Sequence, residues 1–382
     1  MLKDEVFVAT LSKGKIGALD GLRGLAAMVV VVFHFSPGWA GYLAVDFFFV
    51  LSGFIISYSY IYRRPSVGFY RFTWSRLIRL YPLHVFTIGL FALSYYTVEG
   101  GLPSYKDGNF QTLIQHITLM QNVGLSYGGV TWNYPSWSIS VEFWVGLAFF
   151  WLVSPKTGSL IIISVSAICL VAIVLNYGHL DVYSKNIYGV FNSGLLRGAA
   201  SFGLGLIAYR LYLLASGKKL SYSFVTVCEL LSCFIVLVVV FIRGSKYSVV
   251  DIMAPFSFLL LVLCFSLERG FLSKIASYAS PLGEISYSIY LNHIPILMIV
   301  HYVFQGVGVP TYIVFIIYIS VVLVFSKATY VLVERPSRAW GRRAILRIYG
   351  KEDEGESELY AFGAKKNASL TLTSPGASAP KN

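Results

Sequence analysis

Charged side chains are scarce in this chain of 382 residues. Lys, Arg, Asp and Glu together make up 13% of the sequence, whereas an average soluble domain contains about 25%. Hydrophobic residues account for 56% and aromatic residues for 16%, and the mean hydropathy is +0.69. The shortage of charge argues against a soluble domain and predicts an all-α protein, a polytopic transmembrane helical bundle.

Cysteines are also few, and motifs for a metal or a tightly bound cofactor are missing. The four cysteines lie within apolar segments and lack C-x-x-C spacing, so they are predicted to be small apolar packing residues. His, Cys and carboxylate residues do not group with the spacing of a metal site. The sequence has no Walker loop, G-x-G-x-x-G, H-E-x-x-H or nucleophile elbow. It therefore predicts neither a metal nor a tightly bound cofactor.

The net charge of +12 does not indicate a nucleic-acid partner. The basic residues gather in the segments between apolar runs instead of covering one surface, which is typical of membrane-orientation signals. We therefore expect a lipid bilayer, and no nucleic acid, around this protein.

Ten apolar segments approach the length of about 20 residues that a bilayer crossing needs. They cover residues 19–37, 41–62, 77–97, 136–154, 159–176, 193–214, 222–242, 249–267, 283–304 and 312–333. When the spans alternate in direction, nearly all basic residues between them fall on one side, which predicts that both termini are cytoplasmic. The prediction is a multi-pass cell (inner) membrane protein, with a transmembrane domain over 1–347 and a disordered cytoplasmic tail over 348–382.

The first apolar segment contains two ionisable residues, Arg23 and His34. Eleven helical steps bring them to the same side of a helix, about 16 Å apart along its axis. Ionisable groups within a span are costly and usually line a protein interior or a polar path. This arrangement predicts machinery that crosses the membrane rather than an anchor.

Three ionisable residues are predicted at one level near the outer surface, namely His34, Asp46 and Glu142. An imidazole beside a carboxylate can act as a general base, so these three are the candidate catalytic residues. Each also has a structural alternative, since His34 can be a packed histidine and Asp46 can cap a helix. Glu142 lies deeper in its span, close to Ser138, which favours a role in the site.

On the predicted cytoplasmic side, Arg76 and Arg79 are one helical turn apart at the mouth of the third span. Guanidinium groups match the geometry of phosphate oxygens, so both residues are candidates for binding a phosphorylated ligand. Arginines in a basic loop also serve simply to orient the protein, and this alternative stays open.

The ninth span carries a polar stripe formed by Ser286, Tyr290 and His293, which share one helical face. The stripe either lines a substrate path or holds helices together, and His293 is a second candidate ligand or base. Glu334 closes the tenth span, where it either pairs with a loop arginine or reaches to the interface.

Together these segments resemble acyltransferase family 3, a family of integral-membrane O-acyltransferases. The matching stretches are 19–24 (LDGLRG) with ten residues between Arg23 and His34, 46–54 (DFFFVLSGF), 76–82 (RLIRLYP), 137–142 (WSISVE), 285–293 (ISYSIYLNH) and 334–336 (ERP). They span most of the chain in the expected order. The family often has a second acidic residue after Glu142, where this chain has Phe143.

The resemblance implies transfer of an acyl group, usually acetyl, from cytoplasmic acyl-CoA to a hydroxyl of a cell-surface or lipid-linked glycan. It implies that acetyl-CoA is a co-substrate contacted by Arg76 and Arg79, that His34 is catalytic, and that Arg23 lies between donor and acceptor. The acyl group would pass directly to the acceptor or through an acylated residue. The alternative is a non-enzymatic transporter or flippase of a lipid-linked saccharide, using the same polar path.

Overall fold

The computed structural model describes residues 15–60, 67–125, 131–152, 157–187, 189, 191–242 and 248–349. The α-helices are α1 Gly17–Phe35, α2 Ala44–Tyr60, α3 Phe69–Glu99, α4 Asn109–Ile117, α5 Trp137–Phe150, α6 Ser159–Tyr177, α7 Ser193–Ser216, α8 Tyr222–Leu237, α9 Met253–Ser266, α10 Phe271–Tyr278, α11 Ser280–Glu284, α12 Ser286–Phe304, α13 Thr311–Thr329 and α14 Arg335–Tyr349.

Short irregular turns connect or extend these helices. Turns of 3-10 helix lead into α2, α5 and α9, at Gly41–Leu43, Tyr134–Ser136 and Val249–Ile252. Two π-helical turns follow, Val238–Ile242 after α8 and Tyr330–Glu334 between α13 and α14. Strands β1 (Asn186–Ile187) and β2 (Phe191–Asn192) form a two-residue antiparallel pair before α7, with Asn186 opposite Asn192 and Ile187 opposite Phe191.

Nine helices in the described ranges are long and apolar enough to cross a membrane, which confirms the polytopic helical bundle. The predicted segment 136–154 is not among these nine, because α5 has only 14 residues. Helix α3 begins at Phe69, eight residues before the predicted start at 77, so it carries the arginine motif inside a continuous helix. Of the predicted tail, residues 348 and 349 belong to α14, and 350–382 lie outside the described residues.

Helices α2 and α7 form the centre of the bundle. In the span that contains α2, 78% of the residues are buried, compared with 28% in α6 and in the span that contains α8. A Cβ atom on Gly53 would lie 2.1 Å from the Phe202 carbonyl oxygen, and one on Gly205 would lie 2.0 Å from that of Val50. The two glycines therefore let the helix backbones touch, as small residues do in membrane helix pairs.

Helix α1 is pressed in the same way against the α10–α11 region. A Cβ on Gly21 would lie 1.8 Å from the Ala276 carbonyl oxygen, and one on Gly24 would lie 2.7 Å from the Gly283 nitrogen. The two glycines of the LDGLRG motif thus bring the intervening Arg23 directly against α11.

Candidate active site

Three cavities follow one another through the bundle. We name them after the orientation that the basic residues predict. The inner cavity has a volume of about 590 Å³, the central cavity about 340 Å³ and the outer cavity about 620 Å³. The inner and central cavities share Asp20, Arg23 and Arg79 in their walls. Tyr290 lines both the central and the outer cavity. The three cavities therefore form a series along the bundle, with Tyr290 between the central and the outer one.

The predicted site residues divide among these cavities. Those in the wall of the central cavity are Arg23, Arg76, Arg79, Ser138, Glu142, Ser286 and Tyr290. His34 lines the outer cavity. The remaining three, Asp46, His293 and Glu334, are fully or almost fully buried beside the path.

The inner cavity is strongly basic. Its charged residues are Lys15, Arg23, Arg71, Arg79, Arg338 and Arg342 on the positive side, and Asp20 and Glu284 on the negative side. Lys15 donates to Glu284 at 2.9 Å at the rim. Partial burial lowers the pKa of Lys15, but the hydrogen bond to Glu284 and the nearby carboxylates outweigh this effect, so the pKa lies above its ordinary value. The excess of cations makes this cavity suited to an anionic ligand.

Arg76 and Arg79 have different surroundings although they are one turn apart. Arg76 Nη2 lies 2.5 Å from Glu142 Oε1, and that oxygen also accepts a hydrogen bond from Ser52 at 3.0 Å. Arg79 has no hydrogen-bond or ion-pair partner among the described residues, and it faces both cavities. Arg79 is therefore available to a ligand, whereas Arg76 is held by Glu142.

Arg23 is fixed where the inner and central cavities meet. Its Nε donates to Ser286 Oγ at 2.9 Å, and its Nη2 donates to the Gly283 carbonyl oxygen at 2.6 Å. Nη2 also lies 3.3 Å from Asp20 Oδ1. Arg23 can thus contact a ligand that extends from one cavity into the next without losing its position.

His34 forms a pair with His293. His34 Nδ1 lies 2.9 Å from the Val30 carbonyl oxygen and 3.2 Å from His293 Nε2. His293 Nδ1 lies 2.6 Å from the Tyr290 carbonyl oxygen. Carbonyl oxygens only accept, so these contacts assign a proton to Nδ1 of both neutral rings. In this tautomer His34 Nε2 carries a lone pair, as a general base requires.

Tyr290 lies between the central and outer cavities and is hydrogen-bonded to Ser138. Ser138 Oγ donates to the Tyr290 hydroxyl at 2.8 Å, and that hydroxyl donates to the Pro135 carbonyl oxygen at 2.9 Å. These bonds hold the phenol ring in place beside the His34–His293 pair.

Aromatic side chains make up much of the outer cavity wall, namely Tyr42, Tyr95, Tyr105, Trp132, Tyr134, Trp137 and Tyr183. Burial raises the pKa of Tyr105 to about 12, so this phenol stays neutral. Asp181 adds a carboxylate to the same wall. Flat rings with hydroxyl edges and one carboxylate suit a polyhydroxylated ligand with apolar ring faces.

The expected cluster of His34, Asp46 and Glu142 does not form. Asp46 is fully buried and pairs with Arg197, whose Nη2 lies 2.6 Å from Asp46 Oδ2, and it also accepts from Ser201 at 2.9 Å. Glu142 is bound to Arg76, and His293 occupies the place beside His34 that was expected for a carboxylate. Similar depth along the membrane normal placed these residues at one level, but they face different neighbours around the bundle.

Glu334 pairs with an arginine of its own helix rather than with one of the predicted loop. Its Oε1 lies 2.5 Å from Arg338 Nη2, four residues later, and its Oε2 accepts from Ser288 at 2.6 Å. This contact joins the end of the last span to α12.

Comparison with known proteins agrees with this architecture. Residues 16–331 match the family described as "Acyltransferase domain". The chain belongs to this acyltransferase family. The matched range covers α1 to α13 and contains every predicted site residue except Glu334, which follows it by three positions.

Two named relatives are similar to this chain over most of its length. It is 26% identical over 368 residues to the "Putative peptidoglycan O-acetyltransferase YrhL" of Bacillus subtilis (strain 168), covering 87% of this chain and 56% of the relative. It is also 26% identical over 370 residues to "O-acetyltransferase OatA" of Staphylococcus aureus (strain MRSA252), covering 88% and 59%. The chain therefore spans little more than half the length of these relatives. No solved structure matches it.

Sequence reasoning missed several residues that line these cavities. Arg338 and Arg342 line the inner cavity from α14, beyond the matched range, and were interpreted only as orientation charges. Their spacing of four residues on a helix was the available signal. Asp181 was missed because nothing in its local sequence marks this carboxylate as part of a site.

Proposed function

We propose that this protein is an O-acyltransferase of the cell (inner) membrane that moves an acetyl group from cytoplasmic acetyl-CoA to a hydroxyl of a cell-surface or lipid-linked glycan. The observation that carries the proposal is the sequence of three cavities, with arginines at one end and His34 among aromatic rings at the other. Membership of the acyltransferase family and similarity to proteins named O-acetyltransferases support the reaction type.

The donor side is the basic inner cavity. Phosphate groups of coenzyme A would bind the free guanidinium of Arg79 and its neighbours, because planar guanidinium groups match phosphate oxygens. The acylated arm would then extend past Arg23 into the central cavity, toward Tyr290. Arg76 would act indirectly, by holding Glu142 in the wall of that cavity.

The acceptor side is the outer cavity. Sugar rings would stack on the aromatic side chains, and Asp181 would accept hydrogen bonds from ring hydroxyls. One hydroxyl would face His34 Nε2, which is the unprotonated nitrogen in the assigned tautomer. His293 would hold the ring of His34 in that orientation.

The reaction follows from this placement. His34 Nε2 removes the proton from the acceptor hydroxyl as its oxygen attacks the thioester carbonyl carbon. The new C–O bond forms, the C–S bond breaks, and the leaving thiolate of coenzyme A takes a proton from the imidazolium of His34. The products are an O-acetyl ester and free coenzyme A, and His34 returns to its starting state.

Direct transfer requires the thioester to reach Tyr290, and the position of this residue in the walls of both the central and the outer cavity supports this route. A quench experiment with radiolabelled acetyl-CoA and no acceptor separates it from a relay. Label that stays on the denatured protein would demonstrate an acyl-enzyme intermediate and rule out direct transfer.

The function is tested by substitution of His34. We expect cells that produce the wild-type protein to gain base-labile acetyl groups on a surface glycan, detected by mass spectrometry as added acetyl units. His34→Ala should abolish this gain because the base is lost, while His301→Ala, at an exposed end of α12, should retain it. Equal protein levels are verified by immunoblot of the membranes.

This experiment, together with a transport assay, distinguishes the enzyme from the transporter alternative. If no surface fraction gains acetyl groups, and a lipid-linked saccharide crosses the membrane of proteoliposomes without acetyl-CoA, the enzyme proposal fails. If acetylation depends on acetyl-CoA and on His34, a transporter without bond chemistry cannot explain it.

A further inference from the structure

Helix α14 forms one wall of the inner cavity, although it lies beyond the family match, which ends at residue 331. Arg338 and Arg342 lie four residues apart and both line the cavity, as do Ile345 and Leu346. The helix follows the π-helical turn Tyr330–Glu334, and such turns change which face of a helix points inward.

Close packing fixes α14 against α3. A Cβ atom on Gly341 would lie 2.2 Å from Ile78 Cγ2, so the two helices are in direct contact there. Ile78 precedes Arg79, which places α14 next to the free guanidinium of α3. The Glu334 carboxylate, held by Ser288, pairs with Arg338 and fixes the first turn of α14.

Two arginines of this cavity are left unpaired among the described residues, although Arg338 is paired with Glu334. Neither Arg79 nor Arg342 has a hydrogen-bond or ion-pair partner within the ranges that the structure describes, and the buried Nε of Arg338 is also without a hydrogen-bond partner. Like charges on one helix face, and on two touching helices, repel each other. A ligand with several negative charges would remove this repulsion.

Apolar and aromatic side chains form another part of the inner cavity wall, beside Ser59 and Ser75. Tyr60, Val67, Ile78 and Tyr330 line it together with Ile345 and Leu346. The central cavity beyond Arg23 is smaller, about 340 Å³ compared with about 590 Å³. A wide chamber with arginines and apolar side chains suits phosphates attached to a flat heterocyclic base, and the smaller chamber suits a thin arm.

We propose that α14 makes this enzyme selective for a donor that carries a phosphorylated nucleotide, with Arg342 binding a phosphate at the nucleotide end. This inference rests on the proposed function, since it concerns the donor side of the same path. Thioesters on bare pantetheine would lack this contact, so they would bind weakly. Arg342 is here a specificity-determining residue that lies far from the reacting carbonyl.

Binding to the purified full chain in detergent tests the proposal. Isothermal titration compares coenzyme A with pantetheine for the wild type, Arg342→Gln and the matched control Arg343→Gln. Arg343 is the next residue, is exposed, bonds only to the Ala339 carbonyl oxygen of its own helix and does not line the cavity. Both variants lose one positive charge from the same turn.

We expect Arg342→Gln to weaken coenzyme A binding about tenfold or more, as loss of a charge-assisted hydrogen bond to phosphate predicts. Arg343→Gln should bind coenzyme A like the wild type, and pantetheine binding should be equally weak in all three proteins. Equal affinity of the two variants for coenzyme A would overturn the role of α14 while leaving the proposed function intact. A wild-type protein that does not bind coenzyme A would overturn the donor assignment itself.

Discussion

At the scale of single residues, the contacts of each ionisable group decide what it can do. Asp46 is fully buried and its carboxylate is taken up by Arg197 and Ser201, so it has no lone pair directed at a cavity. His34 has the opposite arrangement, because its Nδ1 is engaged and its other nitrogen is left for a substrate. The structure therefore separates a carboxylate held in a buried ion pair from the proposed base, although both stood at one predicted level.

Asp46→Asn provides the corresponding test. The substitution leaves the buried guanidinium of Arg197 without its counter-charge, and breaking a buried pair in this way costs about 3–5 kcal/mol. We expect a large fall in the melting temperature of the detergent-solubilised protein. The control Glu99→Gln, at an exposed helix end, should melt like the wild type. If Asp46→Asn melts normally but is inactive, the carboxylate has a chemical role and the structural assignment is incorrect.

At the scale of helices, glycines determine how closely the elements approach. Three residues of the motif 46–54 make different contacts. Asp46 accepts a hydrogen bond from Ser201 of α7, Ser52 donates to Glu142, and Gly53 lies where α2 and α7 cross. One helix thereby connects the buried ion pair, the central cavity and the α7 backbone. The contacts explain why polar and small residues interrupt a run of phenylalanines.

The close contact between α2 and α7 predicts that alanine substitutions at two glycines affect stability differently. Gly53→Ala should lower the free energy of unfolding by about 1–3 kcal/mol, because the added methyl group would overlap the Phe202 carbonyl and force the helices apart. Gly89→Ala in α3 is the matched control, because a Cβ there meets no atom within 4 Å. It should keep or slightly raise stability, by up to about 1 kcal/mol. The measurement is thermal unfolding in detergent, and equal melting of both variants would contradict the close contact.

At the scale of the whole molecule, the path has a direction only if the chain crosses the membrane as predicted. The basic inner cavity must face the cytoplasm for a cytoplasmic donor to enter, and the aromatic outer cavity must face outward. The distribution of basic residues predicts this orientation, with both termini cytoplasmic.

Cysteine labelling in intact cells checks the orientation. A membrane-impermeant maleimide should label Lys106→Cys, in an exposed segment that is predicted to be external, without any treatment of the cells. Arg347→Cys, exposed near the end of α14, should be labelled only after permeabilisation. The protein with its four native cysteines gives the background. Labelling of Arg347→Cys in intact cells would reverse the assignment of donor and acceptor sides.

Much of this protein was determined by the sequence alone. Hydropathy and helical periodicity are local properties, so they located the spans, the shared side of Arg23 and His34, and the polar stripe of α12. The motifs also indicated the acyltransferase family before any contact was known. The start of α3 at Phe69 was missed because Arg71, Arg76 and Arg79 lower the hydropathy there, although they lie on a continuous helix.

Only the tertiary structure decided which groups meet. Arg197 and Asp46 are 151 residues apart, and His34 and His293 are 259 apart. Position along a span gives depth in the membrane, but the direction in which a side chain points around the bundle depends on how the helices pack. That packing paired Glu142 with Arg76, left Arg79 free, and brought the arginines of α14 to the wall of the inner cavity.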